Sequence, residues 1–153
     1  MDVGTVTASL EKIPHTLAMG IVVEHAANGD VEMTLPDATS NQNMVGIIHA
    51  GALYTFGETV AGVAAGIDFL DKAFPLARKA EIRYLSPAKG AIRGRAQVAP
   101  SDTDRVRAEL ERDGRSELGV RVHLWDTNGK PVAEMGVDYS FRAFKAFNPM
   151  EKS

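Results

Sequence analysis

The stretch NMVGIIHAGALYTFGETVAGVAAG, residues 43–66, sets the tightest limit on what this chain can fold into. From Val45 to Ile67 it is long enough to cross a bilayer and apolar enough to be the core helix of a globular domain. His49 and Glu58 decide between the two, because an ionised Glu near the bilayer centre costs about 3 kcal/mol on insertion scales. No aromatic belt or Lys/Arg cluster flanks the segment to anchor it in lipid. The expectation is a long helix that starts near His49 and is buried in protein, with no membrane as partner. Gly57, Gly62 and Gly66 each cost about 1 kcal/mol relative to Ala inside a helix. Something must therefore approach that helix closely, either a surrounding sheet or a second copy of the helix.

The segments on either side read mostly as strands. Residues 8–13 (ASLEKI) predict a short leading helix ended by Pro14. The apolar run Met19–Val23, the turn Asn28-Gly29-Asp30 and the run VEMTLP predict an antiparallel hairpin. DATSNQNMVG is a polar loop that delivers the chain to the helix. Beyond the helix, FLDKAFPLA reads as its frayed end and a connection, and RKAEIRYLSPAKGAIRGRAQVAP as two strands joined through SPAKG. SDTDRVRAELERDG suits a helix with Ser and Asp caps, or a continuing strand. ELGVRVHLWD and PVAEMGVDYSFRAF flank TNGK, where Asn128-Gly129 predicts a type I′ turn, and KAFNPMEKS is expected to be loose.

Two strands, one long apolar helix and then about four more strands make an α+β domain with an antiparallel five- to six-stranded sheet. The long helix is the element available to cover the buried face, so the sheet should wrap around it. A length of 153 residues suits one domain, residues 1–153, with a sizeable core. Hydrophobic residues at 44% and charged residues at 24% are those of an ordinary globular protein. A net charge of −3 offers phosphate backbones no general attraction, so no nucleic acid partner is expected. The lack of cysteine removes disulfides, thiolate metal ligands and a cysteine nucleophile together, and fits a reducing compartment. MDVGTVTASLEKIPHTL has no compact apolar block of the secretory kind, which makes the cytoplasm the expected location. His15, His25, His49 and His123 show no ligand spacing, so neither a metal nor another cofactor is expected.

His49 and Glu58 are nine positions apart, which at about 100° per residue puts them on opposite sides of a continuous helix. One chain cannot easily join them in a dyad. Two helices running antiparallel across a two-fold axis can, each site taking Glu58 from one protomer and the helix start from the other. The first N–H groups of a helix lack intrahelical partners and carry partial positive charge, so they can stabilise an oxyanion formed at a carbonyl. Ala50 and Gly51 would donate those groups, and Asn43 could offer its amide to the same carbonyl or to a water. Glu58 would sit among Tyr54, Phe56, Val60 and small residues, surroundings that disfavour a carboxylate's ionised form and suit a general base or nucleophile. Plain structural roles stand beside these: His49 as a cap or core residue, Asn43 as a turn residue, Glu58 paired with Lys79, Arg83 or another base.

The arrangement N-x-x-G-x-x-H-x-G over residues 43–51, with a carboxylate nine residues after the His, resembles the hotdog-fold acyl-CoA thioesterases of the phenylacetate-degradation type. IRYLSPAKG, residues 82–90, resembles the strand and turn that follow the central helix in the same superfamily. AGALYTFGE with EIRYLSPAKG is similar to its less characterised thioesterase-like branch, and the resemblance spans residues 17–143. It implies a hotdog sheet wrapped around the helix and a homodimer whose two sheets join into one, with pairing of dimers into tetramers left open. It further implies active sites at the interface and an acyl-CoA substrate cleaved to CoA and a carboxylic acid. Glu58 would activate water or attack the thioester carbon. The Ala50 N–H at the partner's helix start would polarise the carbonyl, Asn43 would orient the carbonyl or the water, and His49 would support that end of the site. Tyr54, Lys79 and Arg83 are the expected substrate contacts; Lys79, Glu81 and Arg83 share one side of their strand by alternation.

This chain departs from the family pattern at two positions. Ala50 stands where a second Gly is common, and Ala77 where some relatives carry a hydroxyl. Those departures favour a second reading, a protein that binds acyl-CoA without turning it over. A hotdog hydratase or dehydratase is disfavoured, since those enzymes usually have a Pro-Gly turn where this chain has GIIHAG.

Overall fold

A computed structural model describes residues 2–144, and the tail expected to be loose, residues 145–153, lies outside them. Helix α1 (Val3–Leu10) is capped by Asp2, whose side chain accepts the Thr5 N–H at 2.9 Å. It begins earlier than ASLEKI suggested, and Pro14 opens a second helix, α2 (Pro14–Met19), instead of merely ending the first. The reason lies in proline itself: at the first position of a helix its missing N–H has no bond to lose. Gly20, at φ 67, stops α2, and the chain enters β1 (Val22–Ala27). Asn28 and Gly29, with φ of 50 and 74, join β1 to β2 (Asp30–Leu35), as a type I′ turn requires.

The polar loop then leads to the long helix α3 (Ala50–Gly66). After it come β3 (Ala73–Tyr84), β4 (Ile92–Gln97), α4 (Pro100–Asp113), β5 (Arg115–Asp126) and β6 (Pro131–Ala143). SDTDRVRAELERDG is thus helical, but Ala99 is the N-cap and Pro100 takes the first position, which leaves Ser101 and Asp102 inside the first turn. The type I′ expectation at Asn128-Gly129 is not met. Of those two residues Gly129 alone has positive φ, 81. The Asp126 carboxylate accepts the N–H groups of Asn128 and Lys130 at 2.9 Å each, and this side-chain competition sets the turn.

The six strands form one antiparallel sheet in the order β1-β2-β4-β5-β6-β3. β3 and β4, consecutive in sequence, are not neighbours, because β3 crosses to the far edge and pairs with β6. α3 packs against β2, β3, β4, β5 and β6, so the sheet curls around it as the hotdog arrangement requires. Phe56, Val60, Ala61 and Ala64 of α3 are buried with Met33, Leu35, Ile92, Val122 and Leu124 from the inner face of the sheet. No helix among the described residues is long and apolar enough to cross a membrane.

Helix and sheet approach closely enough that the glycines are required. A methyl at Gly57 would lie 2.8 Å from Met135 Sδ, and one at Gly94 would lie 2.8 Å from Leu124 Cδ2 and 2.9 Å from Phe56 Cε1. The close neighbour of the helix is therefore the chain's own sheet. Gly94→Ala is expected to destabilise the fold by about 1–3 kcal/mol, since the Phe56 ring it meets is fully buried and packed on every side. Urea unfolding checks this, and an unchanged midpoint would show the contact to be soft. At the sheet's edges, α1 packs against β1, whereas β3 presents a 12-residue flank with no strand on it among the described residues.

Candidate active site

Three rungs of backbone pairing shape the loop before α3. His49 N–H donates to the Asn41 carbonyl at 2.8 Å, Gln42 pairs with Ile48, and Asn43 N–H donates to the Ile47 carbonyl at 2.8 Å. Buried Asn41 fastens the base of this loop, its amide donating to the carbonyls of Met19 and Pro36 at 2.9 and 3.1 Å. Ile48 N–H donates to the Ala88 carbonyl at 2.9 Å, and the Tyr84 hydroxyl donates to the Ala50 carbonyl at 3.0 Å. Residues 43–51 and 81–90, the two stretches that stood out in the sequence, thus meet at the start of α3.

His49 is the N-cap of α3, with φ −64 and ψ 140, and its Nδ1 accepts the Gly51 N–H at 2.8 Å. A ring that accepts at Nδ1 carries its proton on Nε2 when neutral. A methyl on Gly51 would sit 3.0 Å from Nδ1, so glycine is what lets the imidazole fold back over the helix end. This corrects the expectation that Gly51 offers a free donor: its N–H is taken by His49. The N–H groups of Ala50 and Ala52 have no acceptor among the described residues, and Ala50 is exposed. Ala50 N–H is accordingly an open donor at the positive end of the helix.

Asn43 behaves as a turn residue. Its Oδ1 accepts the N–H groups of Val45 and Ile47 at 3.0 and 3.3 Å, so the amide oxygen is committed to the loop, while its NH2 has no acceptor among the described residues. It stands two rungs beyond His49, about 7 Å along the ladder.

Glu58 lies in the middle of α3 and is half-buried. The helix is continuous, so Glu58 and the helix start are half a turn out of phase and about 13 Å apart along the axis. Glu58 Oε1 accepts from the Tyr139 hydroxyl at 3.2 Å, and the same hydroxyl is 3.2 Å from the Glu58 carbonyl. The pairing of Glu58 with Lys79 or Arg83 does not form. Tyr139, on the inner face of β6, is buried. Burial first, and the Glu58 charge second, push its phenol well above the ordinary value of 10.0, so it stays protonated and donates. A phenol harder to ionise in the folded chain than in the unfolded one contributes stability that is fully present below pH about 10 and is lost as pH rises above it, by up to about 1.4 kcal/mol per pH unit. Urea unfolding at rising alkaline pH should show this slope in the wild type and lose it in Tyr139→Phe.

Tyr54 is one helical turn before Glu58 on the same stripe of α3 and is 39% exposed. Lys79 and Arg83 are elsewhere. They pair in register with Asp138 and Glu134 and border a depression of about 410 Å³ on the outer face of the sheet, together with Arg121 and His123. That face points away from α3, so Lys79 and Arg83, the expected substrate contacts, lie on the side of their own protomer's sheet opposite Glu58. Strand alternation placed them on a common side, as found, but does not say which side faces the helix. Tyr139 carried no such signal: it is one member of the inward row Met135, Val137, Tyr139, Phe141, and nothing in the sequence pairs it with a residue 81 positions away. Among the described residues no three His, Asp or Glu side chains gather as a metal site would need.

No curated protein matches the chain. The family model called domain of unknown function (DUF4442) matches residues 5–140. Among solved structures, a Pseudomonas aeruginosa protein of unknown function, called a "probable thioesterase", is 28% identical with a TM-score of 0.85, the match covering 94% of this chain and 97% of that one. A Shewanella oneidensis protein whose name also contains the word thioesterase is 20% identical, with a TM-score of 0.79 and coverage of 90% and 95%. A variant thioesterase from Pseudomonas aeruginosa is 14% identical, with a TM-score of 0.76 and coverage of 94% and 95%, and these last two share the fold. With a sheet curled around one long helix and a family match over nearly its whole length, the chain belongs to the DUF4442 family, a thioesterase-like family built on the hotdog fold.

Proposed function

We propose that the protein is an acyl-CoA thioesterase that works as a homodimer, with each active site made from both protomers. The observation that carries this reading is the layout of α3. An open backbone donor at Ala50 and a carboxylate at Glu58 sit on one rigid element, about 12 Å apart along its axis. Neither can serve the other's substrate in one protomer, but a two-fold axis that sets two such helices antiparallel brings each Glu58 toward the opposite helix start. The open flank of β3 supports that assembly, since among the described residues no strand pairs with it over its 12 residues, and Phe74, Leu76 and Tyr84 are exposed on the strand. Joining two such flanks makes one continuous sheet.

In this reading the acyl carbonyl lies at the partner's helix start, where the Ala50 N–H donates to its oxygen and the negative charge that develops there is stabilised by the helix end. Glu58 takes a proton from water as the water oxygen bonds to the thioester carbon, or attacks that carbon itself. Collapse of the tetrahedral species breaks the carbon–sulfur bond. In the water route the leaving CoA thiolate recovers the proton from Glu58 and the acid is released; in the direct route the thiolate leaves an acyl–Glu58 anhydride, whose hydrolysis by water frees the acid, restores Glu58 and supplies the proton to the thiolate. Tyr54, beside Glu58 and partly exposed, contacts the acyl group. A chain of this chemistry, without cysteine, suits the cytoplasm.

Colorimetric thiol release across short, medium, long and aryl acyl-CoAs tests the proposal, and no release from any of them overturns it. A second reading has one observation in its favour. Because His49 holds the Gly51 N–H, the helix start keeps fewer free donors than it has amides, which suits a protein that binds acyl-CoA without hydrolysing it. Calorimetry that finds tight binding with no thiol release would select that reading.

A further inference from the structure

The buried hydroxyl that touches Glu58 has no part in the mechanism above. The Tyr139 hydroxyl rises from an otherwise apolar row of β6 and reaches α3 between Glu58 and Gly62. Its one proton faces two acceptors of the same residue, Glu58 Oε1 and the Glu58 carbonyl, each at 3.2 Å. Position 62, one helical turn after Glu58, is glycine, and a side chain there would press on the hydroxyl. A methyl there would lie 3.3 Å from the Tyr139 oxygen and 3.8 Å from Glu58 Oε1. Glycine weakens a helix interior, and at position 62 the group it leaves space for is this hydroxyl.

We propose that Tyr139 is the positioning residue for Glu58: it holds Oε1 so that Oε2 is the oxygen presented to water, and Gly62 is the gap that admits it. This rests on the reading of Glu58 as the catalytic carboxylate. A free Glu side chain samples several rotamers, and a bond from a protonated phenol to a carboxylate is charge-assisted and strong enough to select one. The geometry also lets the residue work without reorienting. When Oε2 takes a proton from water, Oε1 becomes the carbonyl oxygen of a neutral acid and still accepts from Tyr139. The second acceptor, the Glu58 carbonyl, ties the hydroxyl to the helix throughout the cycle.

Tyr139→Phe removes the hydroxyl and nothing else. It is expected to lower kcat about ten-fold with KM changed by less than about two-fold, and with unaltered circular dichroism at neutral pH. Gly62→Ala is expected to lower kcat about three-fold in the wild-type background and to have no further effect in Tyr139→Phe, where there is no hydroxyl for the methyl to displace. A wild-type kcat in Tyr139→Phe, or an equal effect of Gly62→Ala in both backgrounds, overturns the proposal. A readout independent of turnover separates this proposal from the functional one. The carboxyl 13C resonance of Glu58, identified by its loss in Glu58→Gln, should shift in Tyr139→Phe. If it shifts while Glu58→Gln leaves thiol release unchanged, the catalytic reading of Glu58 falls and the contact by which Tyr139 holds its carboxylate stands. If it does not shift, the positioning role fails whatever the activity.

Discussion

Glu58→Gln should reduce kcat for thioester hydrolysis by about a thousand-fold, with little change in KM. Gln has the size and shape of Glu and its amide oxygen can still accept from Tyr139, so the substitution removes the capacity to take a proton or to attack carbon and little else. Stability should hardly move, because Glu58 is half-buried and its one side-chain partner among the described residues is a neutral hydroxyl that Gln also satisfies. Thiol release and thermal melting measured on one preparation separate the two effects. A variant with wild-type kcat would end the catalytic role of Glu58. A variant that loses activity and melts far lower would return Glu58 to the status of a structural residue. Glu58→Asp gives a graded check. Its carboxylate withdraws by one methylene from the position that Tyr139 reaches, and activity should fall between those of the wild type and Glu58→Gln.

What the sequence made legible was local geometry. The run from Ala50 to Gly66 reads as a helix, and its half-turn offset between His49 and Glu58 follows from helical pitch alone. Asn28-Gly29 forms the expected turn because no neighbouring side chain competes there, whereas Asn128-Gly129 does not, because Asp126 captures two of the turn's N–H groups. Pro14 marked a boundary correctly but gave the wrong side of it, since a proline that ends one helix can equally begin the next. The alternation that grouped Lys79 with Arg83 is blind to which face of a strand meets the core; that is decided by β6, whose Asp138 and Glu134 pair with them on the outer side.

The candidate site divides the same way. His49 and Asn43 stand where the loop should put them, and both perform the plain duties that residues of their type perform there, His49 capping the helix and Asn43 closing a turn. Those duties do not exclude functional ones, since the imidazole Nε2 and the Asn43 NH2 remain uncommitted among the described residues. The contact between Glu58 and Tyr139 was illegible because it depends on β6 crossing under the middle of α3, which is a property of strand order and not of any short pattern. Glycine at position 62 was visible, as was its energetic cost, but the object that fills the gap was not.

The donor at position 50 belongs to the backbone and not to the Ala side chain, and this permits a sharper test of the shared site. Ala50→Pro deletes the N–H in question and leaves the helix able to form. Proline is tolerated at the first helical position, and His49, at φ −64 and ψ 140, already has the extended conformation that a residue before proline prefers. The Ala50 N–H has no acceptor among the described residues, so no internal bond is lost. Loss of an oxyanion donor should lower kcat by about a hundred- to a thousand-fold. Mixing Ala50→Pro with Glu58→Gln and allowing the subunits to exchange should then restore activity that neither variant has alone. In each mixed dimer one site carries both lesions, while the other joins the intact Glu58 of the first chain to the intact Ala50 N–H of the second. Random exchange makes half of the dimers mixed and half of their sites whole, so about a quarter of wild-type activity should return. If Glu58 and the Ala50 N–H instead served a site within one protomer, every site in the mixture would keep one lesion. Exchange confirmed by differently tagged chains, with no recovery of thiol release, would therefore rule out a site built across the two-fold axis.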